Sequence, residues 1–475
     1  SLWLESFTVG SPLTFLDHHM RCGDSLMGLW RSSLKEERQT RLARWTGELE
    51  AAGKALFHGV SQSHDLNLAE LQQSREGYQR ARAMTAPQEQ LLDSQVADLL
   101  QPGSEGGALA RQFQAFHWEY EFPDAFAETE WGFDLVVMNP PWEAVKPEDD
   151  DFFSGLYPGF RKIKSKPEKK KVMERLLEDE AISEAYSDYR EKIQQRINFY
   201  RSAEYTLRGS GDTNLWKLFM ERGMRLLAGG GSLAVVVPSG IVTDEGAKPL
   251  REKLFDGRIR GLFEFENKQG IFPDVHRSYK YALLIWDKEE AVPAFPAAFY
   301  LWQVQALEGK GEKDKFLEMP MDLVRICAPE SLSIPEVRSE RHLEVFAKLY
   351  RENALLGDQK KGWHVSLVAE LHRTNDSNLF RSDGQGWHLM EGKCFHQFLP
   401  DYEKPSFTVD ADKGLKRTER CRDYRDGING FVHMMPRVAF RDIASSTNVR
   451  SAIACILPPQ TLCSNKAPVV VPIIN

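Results

Sequence analysis

Residues 133–138 read Phe-Asp-Leu-Val-Val-Met and stop abruptly in Asn139-Pro140-Pro141-Trp142. So short and continuous an apolar run, with β-branched members, suits a strand buried on both faces of a parallel sheet. The two prolines fix φ and delete two N–H donors, so the chain must leave the strand as a rigid turn with outward carbonyls. Open α/β sheets place their ligands at the carboxyl ends of strands, where this turn falls. The downstream texture predicts the same class. Residues 214–228 put Leu215, Leu218, Phe219 and Leu226 near one helical face, and Gly229–Gly231 is expected to stop that helix. A second buried strand is predicted at 232–237 (Ser-Leu-Ala-Val-Val-Val), a helix near 246–255, and strands at 260–266 and 279–286. Helices alternating with short apolar strands predict an α/β domain with a largely parallel sheet.

The rest of the chain bounds the architecture. With 475 residues, 42% of them hydrophobic and 27% charged, it is too apolar for a disordered polymer and long enough for two or three folded units. No apolar run approaches the roughly 18 residues of a membrane helix. The opening Ser-Leu-Trp-Leu-Glu-Ser-Phe lacks the basic-then-apolar layout of a signal peptide, so the expected location is cytoplasmic. The net charge of −8 does not exclude nucleic acid, because binding depends on where the basic residues lie. Residues 34–115 read as long amphipathic helices broken at Pro87 and at the glycine-rich 103–107. Residues 143–212 are mostly helical in texture. The expected organisation is a catalytic domain over 1–300 with helical insertions at 34–115 and 143–212, a connector over 301–344, and a second domain over 345–475. The six cysteines include no Cys-x-x-Cys pair and are expected to be free thiols. Cys394 with His396 is a possible ligand pair, but two residues do not make a zinc site, and no metal is assigned.

The turn itself carries chemistry. An Asn139 side-chain oxygen and the Pro140 carbonyl can together accept both hydrogens of a planar exocyclic amine. An aromatic amine is a poor nucleophile because its lone pair is delocalised into the ring. Two acceptors on its hydrogens favour a more tetrahedral nitrogen with an available lone pair. Trp142 offers a flat face for a base extruded from a duplex. The plainer reading is an Asn-Pro-Pro turn followed by a packing tryptophan.

Asn139-Pro140-Pro141-Trp142 resembles catalytic motif IV, (N/D/S)PP(Y/F/W), of amino-methyltransferases that use S-adenosylmethionine. The wider chain resembles the large adenine-N6 DNA methyltransferases of bacterial restriction-modification and phage-defence systems, including type IIG methylases and the BREX and DISARM methylases. Residues 12–28 resemble the segment carrying motif III, which implies that Asp24 contacts the cofactor adenine. Residues 211–242 resemble motifs V and VI. Gly270-Ile271-Phe272-Pro273 resembles motif VIII, which implies that Phe272 and Trp142 sandwich the flipped base. Residues 391–398 and 436–459 resemble the start of a target-recognition domain. The resemblance implies a partial Rossmann-like methyltransferase sheet with helical insertions, followed by a mixed α+β recognition domain. It also implies double-stranded DNA as substrate, with other defence-system subunits or a fused nuclease as partners.

One element of the family pattern is not found. The cofactor motif I is a glycine-rich loop after a strand, and Gly229–Gly231 instead follows a helix. The resemblance places motif I upstream of residues 12–19, and the terminal Val-Val-Val-Pro-Ile-Ile-Asn is expected to cut the recognition domain short. These residues alone are therefore expected to be inactive. His18 and His19 are read as structural, since the reaction needs no strong base, and Asp134 as a strand-edge residue. The basic cluster Arg161, Lys162, Lys164, Lys166, Lys169, Lys170 and Lys171 is either a solvated face or a phosphate contact. Arg437, Arg441 and Arg450 either reach DNA or form structural ion pairs. The rival functions are a protein-glutamine or RNA methyltransferase, and a DNA-recognition scaffold without catalysis.

Overall fold

The computed structural model describes residues 20–33, 51–55, 68–104, 106–126, 132–307, 316–356, 358, 360, 365–421, 432–445 and 448–472. The chain divides into two compact units, 1–347 and 348–475.

The first unit is built on a six-stranded sheet of order β1-β2-β4-β3-β5-β6. Its strands are β1 (Phe133–Met138), β2 (Leu227–Pro238), β3 (Arg258–Glu266), β4 (Lys280–Asp287), β5 (Ala294–Leu301) and β6 (Leu317–Pro320). The sheet is mixed and not largely parallel. β1 runs parallel to β2, and β3 to β5, but β4 lies antiparallel between β2 and β3, and β6 antiparallel to β5. The reason is the connection after β3. A parallel return needs a crossover of a dozen or more residues that usually carries a helix, whereas 267–279 is an irregular loop with a single 3-10 turn.

The main helices of this unit are α1 (Leu68–Leu100), α2 (Lys166–Leu176), α3 (Glu180–Tyr200), α4 (Leu215–Leu226) and α5 (Lys248–Phe255). Pro87 does not break α1, which runs through it. A proline there removes one backbone bond. The neighbouring polar groups knit the turn by other means: Thr85 Oγ1 donates to Arg82 O at 3.2 Å and to Glu89 Oε1 at 2.7 Å. The break at the glycine-rich segment does occur, with α1 ending at Leu100 and Gly103 and Gly106 at positive φ.

Two further expectations change. The helix over 214–228 is not stopped by glycine, because the chain passes directly from Leu226 into β2 at Leu227. Gly229–Gly231 instead forms a bulge inside β2, where the pairing jumps from Phe133↔Leu227 to Leu135↔Ser232. A side chain at Gly231 would sit 2.7 Å from the Phe133 carbonyl, so only glycine fits. Nor is β1 buried on both faces. Val136 and Met138 pack against the core, but Leu135 is 59% and Val137 70% exposed. Among the described residues β1 has a hydrogen-bonded neighbour on one side only, and no layer covers that outer face.

The core is centred on β2 and β4, with Val235, Val237, Ala282 and Leu284 fully buried beneath α4 and α5. Gly223 of α4 lets this helix approach β1: a Cβ there would lie 2.7 Å from Met138 Cε.

The second unit holds two small four-stranded sheets. One has β13 (Thr461–Cys463), β9 (Trp387–Met390), β10 (Thr408–Val409) and β8 (Phe380–Arg381) in that order. The other has β12 (Ala454–Leu457), β11 (Arg437–Phe440), β14 (Val469–Pro472) and β7 (Val365–Val368). A core of Phe395, Cys394, Cys455, Cys463 and Val469 surrounds a buried ion pair between Arg437 and Glu370.

Candidate active site

The site is assembled where β1 ends. Met138 pairs with Val235, and the chain then turns out of the sheet through an exposed Asn139, a buried Pro140 and an exposed Pro141. The Asn139 amide makes no hydrogen bond among the described residues, so its oxygen is available to a ligand. The turn is anchored just beyond its own length. Leu215 N donates to Glu143 O at 3.0 Å and Val145 N to Thr213 O at 2.8 Å, which ties the loop to the start of α4. Trp142 Nε1 donates to Val236 O at 3.3 Å, fixing the indole over β2.

Around Trp142 lies an aromatic cluster contributed by the β3–β4 connection. Phe272 meets it edge-on with centroids 5.0 Å apart, while Tyr279 and Tyr281 lie nearly parallel to it at 6.1 Å. Phe265 stacks on Tyr281 at 5.3 Å. The structure therefore brings Trp142 and Phe272 together, but as touching partners at an interplanar angle of 63°. A base held between two rings needs parallel faces about 7 Å apart, two van der Waals contacts of about 3.5 Å each. Loading a base between them would require the Phe272 loop to swing away. The exposed face available for stacking nearby belongs to Tyr279, which is 44% exposed.

Sequence reasoning missed the residue that holds this loop. Asn267 is fully buried at the end of β3 and engages the loop backbone three times. Its Nδ2 donates to Phe272 O at 2.9 Å and to Val275 O at 2.8 Å, and its Oδ1 accepts from Phe272 N at 3.1 Å. Gly270, at φ 71, makes the left-handed step that lets the chain turn back under it. A buried amide that replaces three backbone partners carries no signal in a single sequence. Tyr279 and Tyr281 were missed for another reason: they read there simply as strand residues.

A buried charge cluster flanks the aromatic patch. Lys280 pairs with Glu264 at 3.1 Å and with Glu336. Burial, reinforced by Glu336 and opposed by Lys280, pushes the Glu264 carboxyl up to about 7. Burial works against the Lys280 ammonium, but the two carboxylates outweigh it and raise its pKa.

The remaining candidates are placed elsewhere. Asp24 pairs with Ala115 in an isolated bridge; its Oδ1 accepts from Leu26 N at 3.2 Å and its Oδ2 lies 4.0 Å from Arg196. No described hydrogen bond links it to the Asn139 turn. His18 and His19 lie outside the described residues. Asp134 is exposed on the edge strand. Within the basic cluster, Lys169 pairs with Asp150 at 2.6 Å, Arg161 with Asp151 at 2.7 Å, and Lys170 with Glu174 at 3.6 Å. Arg437 is buried in its pair with Glu370, a structural role, and Arg441 donates to Phe395 O at 2.6 Å. Arg450 is exposed. Cys394 is buried in the core of its unit, while His396 pairs its backbone with Leu399. Among the described residues no group of three or more His, Cys, Asp or Glu side chains is arranged to hold a metal ion. No described helix is long and apolar enough to cross a membrane.

The first unit is thus a mixed α/β sheet with the Asn139 turn at the carboxyl end of β1. Residues 186–272 match the Eco57I restriction-modification methylase family; this stretch runs from within α3 to Phe272 and includes β2, β3 and the Asn267 clamp. No curated protein gives a significant match to the chain. Among solved structures, the type IIL restriction-modification enzyme MmeI in complex with DNA is similar over 72% of this chain and 41% of its own, at 10% identity and a TM-score of 0.36. The type IIG restriction endonuclease BpuSI is similar over 71% of this chain and 41% of its own, at 12% identity and a TM-score of 0.28. A type I restriction-modification methyltransferase subunit from Streptococcus thermophilus is similar over 44% and 38%, at 16% identity and a TM-score of 0.26. The chain thus spans about two fifths of the length of these three solved chains.

Proposed function

We propose that this chain carries the substrate-amine half of a DNA methyltransferase of a restriction-modification system, acting on N6 of an adenine turned out of the duplex. The observation that carries the reading is the Asn139 amide, exposed and without a hydrogen bond among the described residues, at the carboxyl end of β1 and held beside Trp142 by two prolines. The restriction-modification methylase match over 186–272 supports the class of enzyme.

In this reading Asn139 Oδ1 and the Pro140 carbonyl accept the two N6 hydrogens and draw the amine toward a tetrahedral shape. Trp142, Tyr279 and Phe272 hold the ring, and opening of the Phe272 loop precedes its entry. S-adenosylmethionine is the methyl source we assign, supplying when bound an electrophilic methyl group on sulfur. On this chain Asp24 is the residue proposed to hold it, since among the described residues its Oδ2 has only the distant Arg196 as partner and can accept from an adenine amine. The N6 proton can leave to water after transfer, so positioning and polarisation account for the role of these residues and no strong base is needed. Residues 348–475 are proposed to belong to target recognition.

The test is methyl acceptance by the complete enzyme with duplex DNA, RNA and protein as acceptors. Transfer to adenine in DNA is expected, and Asn139→Ala is expected to lower it by about 10²-fold or more while DNA binding survives. Acceptance by RNA or protein alone would overturn the DNA assignment. An Asn139→Ala enzyme with full transfer would overturn the site.

A further inference from the structure

At the opposite end of the sheet from the Asn139 turn, a cavity of about 580 Å³ opens beside the start of β2. Its walls include Trp30, Leu207 and Met224, with Arg225, Lys253 and Lys288 contributing positive charge. The carboxylates that line it are already satisfied. Glu204 pairs with Arg225 at 3.3 Å, and the two oxygens of Glu221 accept from Thr206 N at 2.8 Å and Leu207 N at 2.9 Å. Lys288 has no carboxylate within ion-pair distance among the described residues, and Lys253 has only the exposed Asp256 at 3.7 Å.

Lys288 is nevertheless held firmly. The glycine bulge of β2 clamps its backbone, with Gly230 N donating to Lys288 O at 3.1 Å and Lys288 N to Gly231 O at 2.9 Å. Its Nζ donates to Leu227 O at 2.6 Å. Burial lowers its pKa and the charge of Lys253 lowers it further, so two like charges are kept near one another at this rim. Such an arrangement is stabilised by an anion between them. Trp30 adds an unsatisfied donor: it is 3% exposed, and its buried Nε1–H has no acceptor among the described residues. A ligand oxygen or nitrogen would satisfy it. The volume lies within the range of small-molecule sites and well above what one inorganic phosphate fills.

We propose that this cavity binds a phosphorylated ligand of mononucleotide size, its phosphate at Lys253 and Lys288, its planar body against Leu207 and Met224, and a polar atom of that body on the Trp30 Nε1–H. The site is distinct from the methyl-transfer turn and does not depend on that assignment. The probe is adenosine monophosphate, titrated calorimetrically against the protein, with adenosine and inorganic phosphate as separate arms. Adenosine monophosphate is expected to bind, with both other probes at least about tenfold weaker. A Lys253→Ala, Lys288→Ala double variant that retains cooperative melting is expected to weaken binding by about tenfold or more. Trp30→Phe keeps an aromatic ring there and removes the N–H, and is expected to weaken binding severalfold; Asn139→Ala is expected to leave it unchanged. Equal binding by the double variant, loss of binding with Asn139→Ala, inorganic phosphate binding as tightly as the nucleotide, or no binding at millimolar nucleotide would each overturn the proposal.

Discussion

β1 and β2 are neighbours, parallel, and alike in sequence: Leu-Val-Val-Met in one, Leu-Ala-Val-Val-Val in the other. Yet Val235 and Val237 of β2 are fully buried, while Val137 of β1 is 70% exposed. β2 is paired on both sides and covered by helices, whereas β1 is paired on one side among the described residues and covered on one face. Apolar composition states what a strand would gain from burial; its place in the sheet decides how much of that is realised. The difference bears on the proposed function. The edge strand presents its Asn139 turn openly, while the central strands supply the rigid frame against which that turn is held.

Substitutions should separate the two strands. A carboxylate in the centre, Val235→Asp, is expected to cost more than about 4 kcal/mol, because an unpaired charge would be buried; loss of cooperative melting in circular dichroism would register it. Next comes Glu264, beside the centre on β3. Its folded pKa of about 7 lies above the ordinary 4.5, so the native state binds the extra proton between those values. Stability is therefore expected to fall as pH rises from about 4.5 to 7, by an amount on the order of 3 kcal/mol from this group. Denaturant titrations of Glu264→Gln should show this part of the slope removed; an unchanged slope would mean that Lys280 and Glu336 already compensate the buried charge.

Smaller again is Asn267→Ala, which strips three hydrogen bonds from the Phe272 loop and is expected to cost about 2 kcal/mol. Faster amide exchange confined to 270–276 would mark the loss as local, whereas global unfolding would show that the loop is part of the core. Least is expected from the edge: Val137→Asp should change stability by about 0.5 kcal/mol or less. A large loss there would show that the outer face of β1 is covered by residues outside those described, and the contrast between the strands would then disappear.

Much of the sheet was legible. The strands at 133–138, 232–237, 260–266 and 279–286 and the helices near 214–228 and 246–255 follow from short apolar runs and 3.6-residue spacing. Direction was not, because a period of two is the same for parallel and antiparallel strands; the antiparallel β4 follows from the connection before it. Gly229–Gly231 announced an irregularity, but whether glycines end a helix or bulge a strand depends on the carbonyl of Phe133 pressed against them. Asn139 and Trp142 were legible because prolines make the turn rigid in any context. Asn267, Tyr279 and Tyr281 were not, since their roles arise from contacts across the β3–β4 loop.

The sequence by itself determined what is local: where strands and helices form, the rigidity of Asn139-Pro140-Pro141-Trp142, and the polar groups that turn can offer. These depend on φ restriction, hydrogen-bonding capacity and side-chain period, which a few consecutive residues carry. Only the tertiary structure decided which apolar strand is covered, how Phe272 meets Trp142, which carboxyl is pushed up by burial, and that two lysines share one cavity rim. Each depends on groups far apart in the chain brought within a few ångströms, where packing and low dielectric give a residue properties its neighbours in sequence do not.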